Sequence, residues 1–358
     1  MVLQRTRFIR ALFLYYSLFL LPRLSGTVTS ISKHSTCAKC GRVTLTTNLV
    51  SMKKGFAAGS IIFLLFFSPS VFSQAPSVMV LGVAQDGGYP HAGCEKECCS
   101  EAWKTDSLKR FVVSLALLDP SSKKWWLFEA GPDFKEQLHY FRTLTKNTYN
   151  DLPEGIFITH AHIGHYTGLM HLGREVMNSK EVPVYVLPAL KHFLEENGPW
   201  SQLVKLKNIT LIALDTNKTI ELNKNILIST FVVPHRDEFS ETAGFKITAG
   251  EKKYLFIPDI DKWQKWPKNI LEEVNKVNIA FLDGTFNEIN ELKNRNISEV
   301  PHPLVSETIK LFNTQNPPTK AKVHFIHFNH SNKILWDQNT RQKIKEQGFN
   351  LAQQGNSY

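Results

Sequence analysis

From residue 78 onward, short apolar runs alternate with polar segments that contain Gly, Pro, Asn and Asp. Short apolar runs bounded by such residues are typical of buried strands, whereas apolar positions that recur every three or four residues are typical of helices. The pattern predicts strands over 78–84, 109–119, 124–130, 155–158, 180–187, 203–212, 218–222, 225–233, 244–248, 252–257, 279–283 and 323–328. It predicts helices over 134–144, 188–197, 267–276, 303–314 and 339–346, and a further helix that begins within 167–177.

The order of these elements predicts one large domain over residues 74–358. Two runs of antiparallel strands are each followed by helices, and such elements bury their apolar faces by packing in layers. We therefore expect a mixed α/β (α+β) fold, in the form of a four-layer αββα sandwich. Ligand sites commonly lie where such layers meet, so a functional site is expected at the edge between the two sheets.

Residues 52–73 have the pattern of a secretory signal peptide. The basic start Met52-Lys53-Lys54 is followed by an apolar run over 56–67 and by small residues that predict cleavage after Ser73. The protein is therefore expected to be secreted or periplasmic. A signal peptide that begins at residue 52 makes residues 1–51 an extra leader, which we interpret as an overlong gene reading with Met52 as the true start. The alternative is that residues 1–51 form a genuine anchor or targeting segment.

The N-terminal segment accounts for nearly all of the positive charge. The chain has 42 Lys and Arg residues against 32 Asp and Glu, a formal net charge of +10. Nine of the basic residues and none of the acidic ones lie in residues 1–73, which leaves 33 basic and 32 acidic side chains in residues 74–358. A nearly neutral domain gives no electrostatic reason to expect nucleic acid or anionic lipid as a partner. We expect a small-molecule substrate, and no membrane association after signal cleavage.

Candidate metal ligands follow the ends of the predicted strands. His160, His162 and His165 come directly after the apolar run 155–158. Four later apolar runs also end in a His or an Asp, namely His235, Asp259, Asp283 and His327. Imidazole is the commonest protein ligand for zinc and similar metals. The recurrence of metal-capable residues at strand ends therefore predicts one metal site lined by those ends.

The stretch Thr159-His160-Ala161-His162-Ile163-Gly164-His165 resembles the T-H-x-H-x-D-H signature of the metallo-β-lactamase superfamily. His235, Asp259 and His327 match the remaining ligand positions of that family in order. Residues 81–90, 283–286 and 325–330 resemble the branch that contains pyrroloquinoline quinone biosynthesis protein B and the phosphonate-pathway cyclic phosphodiesterase. The resemblance covers about residues 78–340.

The resemblance implies a role for each of these ligands. His160, His162 and His235 would hold a first metal ion, His165 and His327 a second, and Asp259 would bridge the two. Asp259 and His327 are the expected catalytic residues, and Asp261 is the alternative to Asp259. Asp283 is expected to tether a ligand histidine, unless it only forms the turn before Gly284.

Gly164 departs from the family pattern, because the family has an Asp there that binds the second ion. The resemblance therefore implies a second site that is short of a carboxylate, with one tight ion and a second that is weak or absent. Zinc is the expected metal, and iron or manganese are alternatives. Glu129 stands where the family has the Asp of a structural Asp-x-Gly motif. Independently of the resemblance, Asp86 and His91 lie in the Gly/Pro loop 85–91, which either approaches the site or is a surface turn.

Cys94, Cys98 and Cys99 form a separate cluster in a chain that is expected to be exported. The related phosphodiesterases hold a structural zinc with an N-terminal cysteine cluster and a late histidine, which implies a Cys₃His site completed by His330. The alternative is one disulfide and one free thiol, although adjacent cysteines rarely pair with each other.

Two classes of function fit these residues. A zinc-bound hydroxide is expected to hydrolyse an ester or a phosphodiester-type small molecule, with Asp259 orienting it or accepting its proton. The alternative is a metal-dependent oxidative enzyme of the pyrroloquinoline quinone biosynthesis B type, since histidines and a carboxylate also hold redox iron. As a type, those relatives lack part of the H-x-H motif that this chain keeps, which favours the hydrolase. A non-catalytic binding protein is a third interpretation, which the retained ligands disfavour.

Overall fold

The computed structural model describes residues 75–292 and 299–358. The predicted leader, 1–51, and the predicted signal peptide, 52–73, lie outside this part of the chain. The strands are β1 Ser77–Gly82, β2 Ser114–Asp119, β3 Lys124–Phe128, β4 Ile156–Phe157, β5 Val182–Val186, β6 Ile209–Ala213, β7 Thr219–Asn223, β8 Ile226–Val233, β9 Thr242–Ala249, β10 Lys252–Ile257, β11 Ile279–Asp283, β12 Val323–Ile326 and β13 Asn350–Leu351.

Helices connect and cover these strands. The α-helices are α1 Glu97–Lys104, α2 Phe134–Leu144, α3 Ile163–Tyr166, α4 Pro188–Glu196, α5 Trp200–Lys205, α6 Ile270–Asn275, α7 Val305–Leu311, α8 Pro317–Lys320 and α9 Gln338–Glu346. Short 3₁₀ helices lie at Asp106–Leu108, Thr167–Leu172, Trp263–Lys265, Ile289–Leu292 and Lys333–Leu335. Within the described residues, no helix is both long enough and apolar enough to cross a membrane.

The strands form two mixed sheets. The first has the order β1-β2-β3-β4-β5-β6, and the second has the order β13-β12-β11-β10-β9-β8-β7. In each sheet one half is antiparallel and the other half is parallel: the pairs from β3 to β6 and from β10 to β13 are parallel. Because parallel strands need crossover connections, helices are placed on the sheet faces. The expected mixed α/β fold is confirmed.

Alternation along the strands separates two buried layers. On β2, Leu115 and Leu117 belong to the large core that also contains residues of the second sheet, whereas Ala116 and Leu118 pack with α2 and α4. Successive side chains of a strand point to opposite faces, so the first sheet is buried on both sides. The helices that follow β5 and β3 therefore cover its outer face.

Four phenylalanines join the two sheets. Phe128 and Phe157 of the first sheet stack with ring centroids 4.9 Å apart, and Phe245 of the second sheet meets them edge to face at 5.3 and 5.7 Å. Phe256 meets Phe128 at 6.2 Å. All four are fully buried. These contacts hold the ends of β3, β4, β9 and β10 together, and β4 and β10 lead into the predicted ligands.

Two predicted elements were wrong. The strand expected over 203–212 begins only at Ile209, because residues 200–205 form the helix α5, whose Leu203 packs under the first sheet. The helix expected from within 167–177 is a 3₁₀ helix that ends at Leu172. Gly168 lies so close to the preceding loop that an added Cβ would be 2.2 Å from the carbonyl oxygen of Gly131, so this contact fixes the backbone locally.

We predict that Phe245→Ala lowers the free energy of unfolding by about 3–5 kcal/mol, because it removes the aromatic contact between the sheets and leaves a cavity. Val232→Ala, at a 45 % exposed position on the neighbouring strand, should cost about 1 kcal/mol or less. Denaturant unfolding at a fixed excess of zinc measures both values. Equal losses in the two variants would show that the phenylalanine cluster does not hold the sheets together.

Candidate metal centre

Four of the predicted ligands meet at the edge between the sheets. His160 and His162 follow β4, His235 follows β8, and Asp259 follows β10. Nδ1 of His162 lies 2.8 Å from Nε2 of His160 and 3.3 Å from Nε2 of His235. Oδ2 of Asp259 lies 3.2 Å from Nε2 of His235 and 3.4 Å from Nε2 of His160. We call this group the first cluster.

The spacing of these four atoms fits a single tetrahedral ion. Zinc binds nitrogen and oxygen at ~2.0–2.2 Å, so the edges between ligands in a tetrahedron are about 3.4 Å. The observed separations in the first cluster run from 2.8 to 3.4 Å. Three imidazoles and one carboxylate are also the donor types that zinc and iron accept. The residues present therefore fit a divalent metal.

Outer contacts fix two of the imidazole rings. Nδ1 of His160 lies 2.8 Å from the hydroxyl of Thr159, and Nε2 of His162 lies 2.9 Å from Oε2 of Glu238. Hydrogen bonds to the far nitrogen orient a ligand histidine and set its tautomer. Glu238 was not predicted, because it lies in the polar loop after His235 and follows no apolar run.

The second cluster contains His165, His327 and Asp86, whose ligand atoms lie within 4.8 Å of one another. Both histidines are fully buried, and Nε2 of each has no hydrogen-bond partner. Buried polar atoms are normally paired, so two unpaired nitrogens that face the same point indicate a place for a ligand or an ion. Asp259 also lies near this cluster, with Oδ2 3.8 Å from Nε2 of His165.

The sequence predicted that Gly164 leaves this cluster short of a carboxylate, but the structure places another carboxylate beside Gly164. The backbone N–H of Gly164 donates to Oδ1 of Asp86 at 3.1 Å. A Cβ added at Gly164 would lie 2.2 Å from the same oxygen. The carboxylate of Asp86 therefore occupies the space that a side chain at position 164 would take. Of the two interpretations of the loop 85–91, the structure favours the approach to the site.

Glu129 and Thr285 position the two histidines of the second cluster. Oε1 of Glu129 lies 3.4 Å from Nδ1 of His165, and its other oxygen accepts from the N–H of Thr159 at 3.2 Å. Burial lowers the pKa of His165, but the carboxylates of Glu129, Asp86 and Asp259 together outweigh it and raise that pKa to about 9. Thr285 lies 2.8 Å from Nδ1 of His327 and donates its hydroxyl proton to Oδ1 of Asp283 at 2.7 Å.

The Thr285 contact fixes the tautomer of His327. A hydroxyl has one proton to donate, and Asp283 accepts it, so Thr285 must accept from Nδ1–H of His327. Nε2 of His327 then presents its lone pair to the second cluster. Burial also lowers the pKa of His327 to about 4, which keeps the ring neutral at pH 7. Asp283 therefore contacts His327 through Thr285, and it also accepts from the Thr285 N–H at 2.9 Å in the turn around Gly284.

His302 is a site residue that the sequence did not predict. Its Nδ1 lies 2.9 Å from Oδ2 of Asp283 and 3.1 Å from Oδ1 of Asp259. Burial lowers its pKa, but the two carboxylates outweigh burial and raise it to about 10. Burial alone would raise the pKa of Asp259, yet His235 and His302 hold it well below its usual range. His302 lies between two prolines and follows no apolar run. A search for His or Asp at the ends of predicted strands therefore does not find it.

Asp261 and His91 lie away from both clusters. Oδ2 of Asp261 pairs with Nζ of Lys265 at 2.6 Å, so the structure supports Asp259 rather than Asp261 as the ligand. The His91 ring packs on His330, with centroids 4.3 Å apart.

The three cysteines and His330 form a third group. Sγ of Cys98 lies 3.8 Å from Sγ of Cys94 and 4.0 Å from Sγ of Cys99. Nδ1 of His330 lies 3.4 Å from the Cys99 sulfur and 3.7 Å from the Cys98 sulfur. With Zn–S of ~2.3 Å, tetrahedral edges are about 3.8 Å between sulfurs and about 3.6 Å between sulfur and nitrogen. The three cysteines are free thiols in the structure, and their spacing fits the Cys₃His zinc site rather than a disulfide.

Sequence comparison finds relatives along most of the chain. Residues 124–327 match the model of the beta-lactamase superfamily domain. Coenzyme PQQ synthesis protein B of Gluconobacter oxydans (strain 621H) is 24% identical over 313 residues, which cover 78% of this chain and 97% of that protein. The protein of the same name from Methylorubrum populi is 23% identical over 305 residues, with 78% and 98% covered.

Solved structures show the same fold. The Zn²⁺-bound PqqB from Methylobacterium extorquens aligns with a TM-score of 0.64 at 21% identity, and the alignment covers 79% of this chain and 99% of that one. A diphosphatase from the PhnP family aligns with a TM-score of 0.58 at 20% identity, with 80% and 97% covered. At these identities the likeness establishes the architecture alone.

We predict that Asp259→Asn removes one metal equivalent from the histidine clusters, whereas Asp261→Asn leaves the metal content unchanged. Asn cannot supply the negative charge that Asp259 brings to the first cluster, and Asp261 is engaged with Lys265. Elemental analysis of both purified variants measures the metal content. Loss of metal from the Asp261 variant alone would reverse the assignment.

We also predict that Cys98→Ser removes one zinc equivalent and lowers the melting temperature, because a structural zinc site contributes directly to folding. Ser100→Ala, on the same helix, is the control and should change neither value. Zinc content and thermal unfolding are measured on the same preparations. If zinc content is unchanged in Cys98→Ser, the Cys₃His assignment fails.

Proposed function

Because the chain belongs to the metallo-β-lactamase superfamily, we propose that it is an exported metal-dependent hydrolase that acts on an ester or phosphodiester-type small molecule. The observation that carries this proposal is the complete first cluster: three imidazoles and a carboxylate at tetrahedral spacing. The proposed export rests on the signal-peptide pattern of residues 52–73.

The residues of the first cluster have distinct tasks in this proposal. His160, His162 and His235 would hold the cation, and burial keeps the pKa of His160 well below its usual range, so that this ring is neutral and able to bind metal. A divalent cation bound there, with a fifth position open to water, would lower the pKa of that water and polarise the substrate. Oδ1 of Asp259 forms an ion pair with Nδ1 of His302 at 3.1 Å, and Oδ2 is directed at the cluster, 3.2 Å from Nε2 of His235.

The mouth of the site supports an anionic substrate. Arg236 lies beside the first cluster, with Nη2 3.5 Å from Nδ1 of His162, and is about half exposed. The guanidinium also pairs with Oε1 of Glu238 at 3.5 Å. It would bind the phosphate or carboxylate oxygens of a substrate, whereas a neutral ester offers it no negative charge. Among the substrate classes named above, we therefore propose the phosphodiester type.

The first test is hydrolysis of bis(p-nitrophenyl) phosphate by the zinc-loaded protein, with p-nitrophenyl acetate as a neutral comparison. We expect turnover of the phosphodiester and a loss of about 1,000-fold or more in kcat/KM for His160→Ala, since metal catalysis contributes several kcal/mol. His192→Ala, at an exposed position on α4, is the matched control and should keep the activity. If both histidine variants behave alike, the hydrolysis does not arise at this site.

A second candidate function is an oxidative reaction of the pyrroloquinoline quinone biosynthesis B type. It is favoured by the curated relatives, which match over nearly their whole length and are named coenzyme PQQ synthesis protein B. The same ligands also accept iron. The metal bound to the protein as isolated separates the two candidates: iron in the histidine clusters together with no hydrolysis of either ester supports the oxidative reaction, and zinc with phosphodiester turnover supports the hydrolase.

A further inference from the structure

We propose that Asp86 is the carboxylate ligand of a second metal ion, which it holds together with His165 and His327 in place of the aspartate that the family signature has at position 164. The inference rests on the metal site of the proposed function. It replaces the expectation of a second ion that is weak or absent.

The ligand atoms converge on one point. Oδ1 of Asp86 lies 3.8 Å from Nε2 of His165, and the ligand atoms of Asp86, His165 and His327 all lie within 4.8 Å of one another. The Nε2 atoms of both histidines are buried without hydrogen-bond partners. A divalent ion would satisfy both nitrogens and the carboxylate at once, whereas without an ion two buried acceptors or donors stay unpaired.

Steric exclusion explains why glycine stands at position 164. A Cβ there would lie 2.2 Å from Oδ1 and 2.7 Å from Cα of Asp86, both far shorter than van der Waals contact. The backbone of the loop and its carboxylate thus fill the position from which a residue-164 side chain would reach the ion. The carboxylate of the second cluster therefore comes from Asp86 in the loop after β1, whereas in the family signature it comes from position 164 in the loop after β4.

Backbone hydrogen bonds hold Asp86 in register with His327. The N–H of Phe328 donates to the carbonyl of Val83, and the N–H of Gln85 donates to the carbonyl of Phe328, both at 2.8 Å. Gln85, which precedes Asp86, is therefore hydrogen-bonded to Phe328, which follows His327. A site that is fixed in this way needs little reorganisation when the ion binds.

No lysine or arginine neutralises the charge of Asp86. In the described ranges, 75–292 and 299–358, no Lys or Arg nitrogen lies within 4 Å of its carboxylate, and the basic group within that distance is the proposed ligand His165. The side chain of Asp86 is only 27% exposed. The hydrogen bond from Gly164 requires an acceptor but no charge, so an asparagine would serve it equally well.

The test is Asp86→Asn in the full chain, because the asparagine oxygen still accepts from the Gly164 N–H while the negative charge is lost. We expect about three zinc equivalents in the parent and about two in the variant, from the Cys₃His group and the two histidine clusters. Competition with a chelator should show second-site affinity weakened by at least ~100-fold, above the range for loss of an outer contact. Asp261→Asn is the matched control and should keep all three.

Gly164→Ala gives an independent test, since its methyl group would displace the Asp86 carboxylate without removing a donor. We expect the same loss of one zinc equivalent. If Asp86→Asn keeps three equivalents with unchanged affinity, or only lowers the melting temperature in excess chelator, the Asp86 carboxylate is not a ligand and the inference is overturned.

The same measurements separate this inference from the proposed function. A parent protein with two equivalents, one of which His160→Ala removes, overturns the second ion and leaves the hydrolase intact. A parent with one equivalent, held by the cysteines and unaffected by His160→Ala, overturns both.

Discussion

The buried carboxylate of Asp259 is the group on which the arrangement of the site depends. Its side chain is almost fully buried, and a bare carboxylate in such a place is strongly unfavourable unless cations or donors surround it. His160, His235 and His302 approach it to 3.4, 3.2 and 3.1 Å. His302 also contacts Asp283, which in turn accepts from Thr285. One buried charge therefore explains why residues from both sheets meet at this edge.

Much of the fold and the first cluster could be predicted, because each ligand follows an apolar run. His160, His235 and Asp259 end strands that the alternation of apolar and polar positions reveals, and α2 begins and ends at the predicted residues. The family resemblance and the α/β fold are confirmed. The predicted strand over 203–212 was wrong because an apolar run that contains Leu203 and Leu206 suits a helix as well as a strand.

Residues that reach the site from loops could not be predicted in the same way. His302 and Glu238 follow no strand, and their roles depend on contacts with Asp259 and His162 that only the folded chain creates. Position 164 shows the limit most clearly. A single sequence reveals that an aspartate is missing there, but it does not reveal that Asp86, 78 residues earlier, fills the same space.

Two short segments each serve both the histidine clusters and the cysteine group. The segment from Asp86 to Cys99 carries a carboxylate of the second cluster and the three sulfurs, and the segment from His327 to His330 carries one imidazole for each. The two segments contact each other, because the rings of His91 and His330 pack together and the N–H of Gln85 donates to the carbonyl of Phe328. A zinc ion in the cysteine group would therefore hold in place the loop that brings Asp86 to the site.

The close packing of Gly164 against Asp86 also restricts how the site can change by mutation. An aspartate at position 164 clashes with the loop as long as Asp86 is present, and loss of Asp86 leaves the second cluster without its own carboxylate as long as position 164 is glycine. Either single step from this arrangement toward the family signature is therefore unfavourable. The effect of a substitution at one of the two positions should depend on the residue at the other, and the backbone of the loop must also move before a side chain fits at position 164.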